Sequence, residues 1–169
     1  MTATIESLRF RIGGLGVNSK RKEMAEIAFD LMRASLLVSP LSDEIFSLYM
    51  EIFSDPEIFS RRGVENFIHW LYSDFEKLTA EQKTVLLETL ISHSKGYADQ
   101  NLGFAVGDMI ARQYSLRVAL TAFRRMWSSG DEHSRFIAQF GADVLSLCLP
   151  KEGKERHTLH KFGAEMGRK

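Results

Sequence analysis

The side chains of this sequence best able to do chemistry are a group of arginines, a band of carboxylates and a few histidines. Arg117, Arg124, Arg125 and Arg135 lie close together, with Trp127 among them. Guanidinium groups beside an aromatic ring suit contact with phosphate or with a stacked base. Arg117, Thr121 and Arg124 share one face of a helix. Such a surface could hold nucleic acid. Yet 22 basic residues are matched by 22 acidic ones, and nucleic-acid binders usually carry a basic total or a long basic stripe. A solvated helix face is the plainer reading of these arginines, and nucleic-acid binding stands as an alternative.

Carboxylates dominate the middle of the chain. Residues 1–22 carry a net charge of +4, residues 23–100 of −8 and residues 101–169 of +4. This layout can draw a basic partner to the middle and acidic partners to the ends. Trp70 falls off the apolar stripe of Phe67, Leu71 and Phe75, so partial exposure is expected. An aromatic anchor ringed by acids can grip a basic protein. Glu65, Trp70, Asp74, Glu76 and Glu81 are therefore the candidate partner-binding residues. The plainer reading has Trp70 covering a neighbouring helix.

No pattern for catalysis or metal binding emerges. Gly13, Gly14 and Gly16 suggest a phosphate loop, but Lys20 follows Ser19 where that motif requires glycine. Of His69, His93, His133, His157 and His160, only the last two are close, and no third ligand accompanies them. Asp99 and Asp108 are nine residues apart on one expected helix and point to opposite sides. Asp99 suits a helix N-terminus, and Asp108 suits pairing with Arg112. An enzyme would need a site assembled from distant residues such as His93, Asp99, Asp108 and His133. No cofactor and no metal are expected. Cys148 is the only cysteine, which fits a reducing compartment, and Leu145, Leu147 and Leu149 suggest that it is buried.

The elements that must position these groups are helices. With 169 residues, 44% of them hydrophobic, the chain can bury a core without disulfides or metal. Apolar spacing predicts helices over about 20–38, 42–53, 64–78, 79–96, 98–113, 115–130 and 131–149. A short helical turn opens at Asp55-Pro56. Thr79 and Gln82 form a capping box. Residues 1–19 read as irregular, with a short strand suggested by the alternation of Leu8, Phe10 and Ile12. Residues 20–150 read as a single helical domain. Residues 151–169 read as a basic tail, either disordered or one short helix. No apolar segment follows a basic start, and no run of about 18 apolar residues occurs, so a cytoplasmic protein off the membrane is expected.

A faint repeat runs through the second half. Gly96 and Gly130 fall in turns 34 residues apart, and Gly107 and Gly141 fall inside helices at the same offset. Leu102 and Phe136, Val106 and Phe140, and Ile110 and Val144 match likewise. A glycine inside a helix costs about 1 kcal/mol against alanine, so two in register point to close helix–helix approach. Over about residues 79–149 the chain resembles α-helical repeat proteins of the HEAT/armadillo kind. The junction Gly107-Asp108-Met109-Ile110-Ala111-Arg112, then Ser115-Leu116-Arg117-Val118-Ala119-Leu120, carries that resemblance. It lacks the proline usual in the first helix of each unit. The resemblance implies stacked helix pairs with a long face free to bind.

The sequence thus leads to an all-α fold of about seven helices in stacked antiparallel pairs, HEAT-like or an irregular bundle. The expected function is non-enzymatic protein binding. One form of it is an inhibitor or immunity-type protein whose acidic face blocks a basic partner. Nucleic-acid binding through Arg117, Arg124, Arg125 and Arg135 is one alternative, and an enzyme with an unrecognised site is another. Homodimerisation is compatible with the apolar faces.

Overall fold

In the computed structural model, residues 4–16, 18–97 and 99–167 are described. These residues form ten α-helices and no strand. They are α1 (Ile5–Gly13), α2 (Arg21–Ser35), α3 (Asp43–Ser54), α4 (Pro56–Phe59), α5 (Glu65–Ser73), α6 (Ala80–His93), α7 (Gln100–Gln113), α8 (Leu116–Ser128), α9 (Glu132–Cys148) and α10 (Lys154–Glu165). One 3₁₀ turn, Phe75–Lys77, follows α5. The helix start expected at Ala98 lies outside the described residues. So do Met1–Ala3, Val17, Arg168 and Lys169 of the terminal segments.

The fold is all-α, with ten helices where the sequence suggested about seven. One addition corrects the reading of residues 1–19. Thr4 accepts a hydrogen bond from the Ser7 amide and opens α1. Leu8 and Ile12, four apart, are buried, whereas Phe10 between them is exposed. The alternation that suggested a strand is one side of a helix with a stray aromatic on the other. The tail forms α10, with Leu159, Phe162 and Met166 buried at helical spacing.

The chain divides into two compact units, Met1–Leu102 and Gly103–Lys169, and the division falls inside α7. In the first unit α2 and α5 lie side by side and run in the same direction. Three contacts along their length fix this: Arg21 with Glu65, Phe29 with Trp70, and Ser35 with Asp74. The start of α6 is joined to the start of α3, because Gln82 Nε2 donates to Leu41 O (3.2 Å) and Asp43 Oδ1 (3.0 Å). Gln82 also completes the capping box, with Thr79 N to Gln82 Oε1 at 3.0 Å and Gln82 N to Thr79 Oγ1 at 3.1 Å. Tyr49, Phe53, Phe59, Phe67 and Phe75 fill the core of this unit. Each such side chain contributes about 1.5–3 kcal/mol by leaving water.

In the second unit α8 and α9 form an antiparallel pair, with Trp127 against Arg135 near the turn and Phe123 against Gly141 deeper in. A Cβ on Gly141 would stand 2.0 Å from Phe123 Cζ. A Cβ on Gly107 of α7 would stand 3.0 Å from Phe140 Cδ1 and 3.2 Å from the Ile137 carbonyl. Both helix-interior glycines therefore sit where another helix crosses closely. Phe104 of α7 also packs edge-on against Phe136 and Phe140, with centroids 5.2 and 4.7 Å apart. The turn glycines Gly96 and Gly130 have φ of +63° and +78°, a conformation that a side chain disfavours. α10 lies along α8 and α9, with Arg124 against Phe162 and Glu165.

Two buried positions differ from their expected setting. Val85, placed on the apolar stripe of α6 by its spacing, is exposed, and Leu86, Leu87 and Leu90 take the buried side. Cys148 is exposed rather than buried. The run Leu145, Leu147, Leu149 has the spacing of a strand. On α9 only Leu145 faces the core, and Leu147 and Cys148 turn outward.

Candidate functional site

The candidate acidic face is split by burial. Glu65 opens α5 and is buried. Its carboxylate accepts from the Gly63 amide at 2.7 Å and pairs with Arg21 at 3.1 Å. Asp74 is also buried; it accepts from the Ser35 hydroxyl and pairs with Lys77 at 2.8 Å. Lys77 Nζ in turn donates to the Ser35 carbonyl at 3.0 Å. These two acids fasten α5 and the 3₁₀ turn to α2, and neither is available to a partner. The sequence hid this because the residues that hold them, Arg21 and Ser35, are some forty positions away. Glu76 and Glu81 are exposed, with Glu76 3.7 Å from Lys83.

Asp74 also acts on the core. The Tyr49 hydroxyl is buried and has no hydrogen-bond partner among the described residues. Burial first, and the negative charge of Asp74 second, push its pKa well above the ordinary phenol value. The phenol is neutral at any physiological pH.

Trp70 is half-buried and packs edge-on to Phe29, with centroids 6.3 Å apart. Phe29 is 46% exposed and carries the Arg33 guanidinium over its ring at 5.9 Å. Leu36 and Leu37, at the end of α2, are 61% and 79% exposed. Phe29, Arg33 and Leu36–Leu37 recur at the helical interval. Trp70 thus belongs to an apolar line along α2, rather than to a ring of acids. The sequence signal for this line was available: Phe29 and Leu36 fall outside the buried stripe of Met24, Ile27 and Leu31.

The arginines are also divided. Arg117 and Arg124 line one groove between α8 and α10, of about 400 Å³. Ser115, Leu116, Leu120, Thr121, Glu155 and Thr158 complete it. Arg124 is held by Glu165 through two hydrogen bonds, Nε to Oε2 at 2.7 Å and Nη2 to Oε1 at 3.2 Å. Those bonds raise the arginine's pKa and lower that of Glu165. Arg117 is exposed and makes no ion pair. Arg135 is elsewhere, its guanidinium stacked 5.4 Å from the Trp127 ring and bonded to the Trp127 carbonyl at 3.2 Å. Arg125 is exposed but does not line the groove.

The residues considered for acid–base chemistry have structural partners. Asp99 accepts from the Asn101 amide at 3.0 Å and lies 3.8 Å from Arg62. Asp108 pairs with Arg112 at 2.7 Å. His93 Nδ1 is 3.0 Å from the Thr89 carbonyl. The glycine run borders a hollow of about 270 Å³ with Asn18, Ser19 and Glu23. There the Gly16 amide is taken by Ser19 Oγ at 3.0 Å, and the Glu23 carboxylate opposes an anion. A smaller hollow of about 170 Å³ between α9 and α10 is lined by Asp143, Ser146, Arg156 and His160 among others. Among the described residues, no three of His, Cys, Asp and Glu come together as metal ligands. No helix is long and apolar enough to cross a membrane. No protein-family model, curated protein or solved structure matches this chain.

Proposed function

We propose that this chain is a non-enzymatic protein-binding module, and that its binding face is the exposed line of Phe29, Trp70, Leu36 and Leu37 along α2. The observation that carries this reading is the exposure of Leu36 and Leu37 beside a half-buried tryptophan. Contiguous apolar surface that a single chain leaves in water commonly marks a protein contact, and tryptophan is enriched where such contacts are strongest. The side-by-side course of α2 and α5 supports a helical-repeat reading of the HEAT kind, in which stacked helices present a continuous face. Glu76 and Glu81, both exposed, leave room for a partner with basic residues around an apolar centre. An inhibitor or immunity-type role fits such a surface.

The test is a tagged pull-down from the source cells, washed at moderate salt. One stoichiometric protein partner is expected, lost on Phe29→Glu or Leu37→Glu and kept on Arg117→Gln. A partner that survives both α2 substitutions would overturn the assignment of the face. Recovery of nucleic acid alone, released by salt, would overturn the protein-binding reading.

A further inference from the structure

The α8–α10 groove contains two unpaired charges of opposite sign. Arg117 and Glu155 both line it, both are exposed, and no ion pair joins them. Arg124, on the Arg117 side, is positioned rather than loose. Glu165 takes two of its five N–H donors, and the Phe162 ring lies 5.4 Å below its guanidinium. Three donors remain for something else. Leu116 and Leu120 supply apolar lining between the charged parts. The hydroxyls of Thr121 and Thr158 already donate to helix carbonyls, those of Arg117 and Lys154. Their oxygens are left as acceptors. One end of the groove therefore donates to an anion and the other accepts from a cation. Its volume is within the range of small-molecule sites, about 300–1,000 Å³.

We propose that this groove binds a small zwitterion, with a phosphate at Arg117 and Arg124 and an ammonium group at Glu155. Guanidinium groups match the spacing of phosphate oxygens, and a carboxylate with hydroxyl oxygens beside it suits an ammonium donor. The inference is independent of the α2 face, which is built from other residues in the first unit.

Titration calorimetry with phosphoethanolamine, ethyl phosphate and ethanolamine tests it on the full chain. Phosphoethanolamine should bind saturably and about tenfold more tightly than ethyl phosphate, the worth of one charge-assisted contact. Arg117→Gln should weaken both phosphates by about tenfold or more. Glu155→Gln should weaken phosphoethanolamine by about as much and leave ethyl phosphate unchanged. Both side chains are exposed, so unchanged thermal melting serves as the folding control. Vesicles containing phosphatidylethanolamine form a second arm: capture that depends on Arg117 and Glu155 assigns the headgroup as the source, and binding of the soluble compound alone assigns a free metabolite. No saturable binding by the wild-type chain, or equal affinity for ethyl phosphate in the wild type and Glu155→Gln alike, would overturn the proposal. So would displacement of the zwitterion by a short single-stranded oligonucleotide whose affinity ignores Glu155, which would point to nucleic acid instead.

Discussion

The acidic side of the first unit and the arginine side of the second show two fates for charge. In the first, Glu65 and Asp74 are drawn inward and satisfied by Arg21, Gly63, Ser35 and Lys77. In the second, one arginine is clamped at the surface by Glu165 and its neighbour Arg117 is left open. Buried charges are strongly coupled to folding, because removing one partner strands the other. Exposed ones contribute little to stability and are available for binding. A run of like-charged residues in a sequence therefore does not mark a charged surface until their partners are known.

The contrast can be broken by substitution, most forcefully at Asp74. Asp74→Ala strands Lys77 and the Ser35 hydroxyl in the interior and should cost about 3–5 kcal/mol in urea denaturation. A loss below about 1 kcal/mol would place Asp74 with ordinary surface acids. Next in size is Gly141→Ala in the second unit, where the new methyl meets the Phe123 ring. Overpacking should cost about 1–3 kcal/mol, against a helix-propensity gain of about 1 kcal/mol. Gly107→Ala, with a longer closest approach, should cost less than Gly141→Ala in the same assay.

The Arg124–Glu165 clamp sharpens the comparison through pH. Hydrogen bonds from Arg124 hold the Glu165 pKa below its ordinary value. A carboxylate depressed in the folded state stabilises above its unfolded pKa and loses that contribution as pH falls through the folded one. Hydrogen exchange of α10 amides should accordingly quicken on acidification through the carboxylate range, and Glu165→Gln should flatten that dependence. The smallest effect belongs to Arg117. Arg117→Gln should leave stability within about 0.5 kcal/mol of the wild type, as expected for a side chain without a partner.

Local sequence signals carried much of the helical layout. Thr79 and Gln82 close their capping box, Pro56 opens α4 behind Asp55, and Asp108 pairs with Arg112. Gly107 and Gly141 mark close helix contacts, as two glycines inside helices suggested. Each of these depends on residues within one or two turns, or on a steric demand that only glycine meets. The failures depend on distance or on period. Leu8, Phe10 and Ile12 match two periods at once, and only packing of α1 on α2 and α3 selects the helical one. Cys148 went astray for the same reason. The inward turn of Glu65 and Asp74 depended on partners about forty residues away, which spacing along a helix cannot supply. At the groove, sequence brought Arg117, Thr121 and Arg124 to one face, but Glu155 and Thr158 joined them only through the docking of α10 on α8.

The two tryptophans give the molecule a pair of optical labels. Trp70 lies in the first unit against a phenyl ring, and Trp127 lies in the second beneath a guanidinium. Their emission will differ in intensity and wavelength, so single-indole variants, Trp70→Phe and Trp127→Phe, would each report on one unit without an added dye. Coincident fluorescence transitions would identify one cooperative unfolding event, and separated ones would identify two.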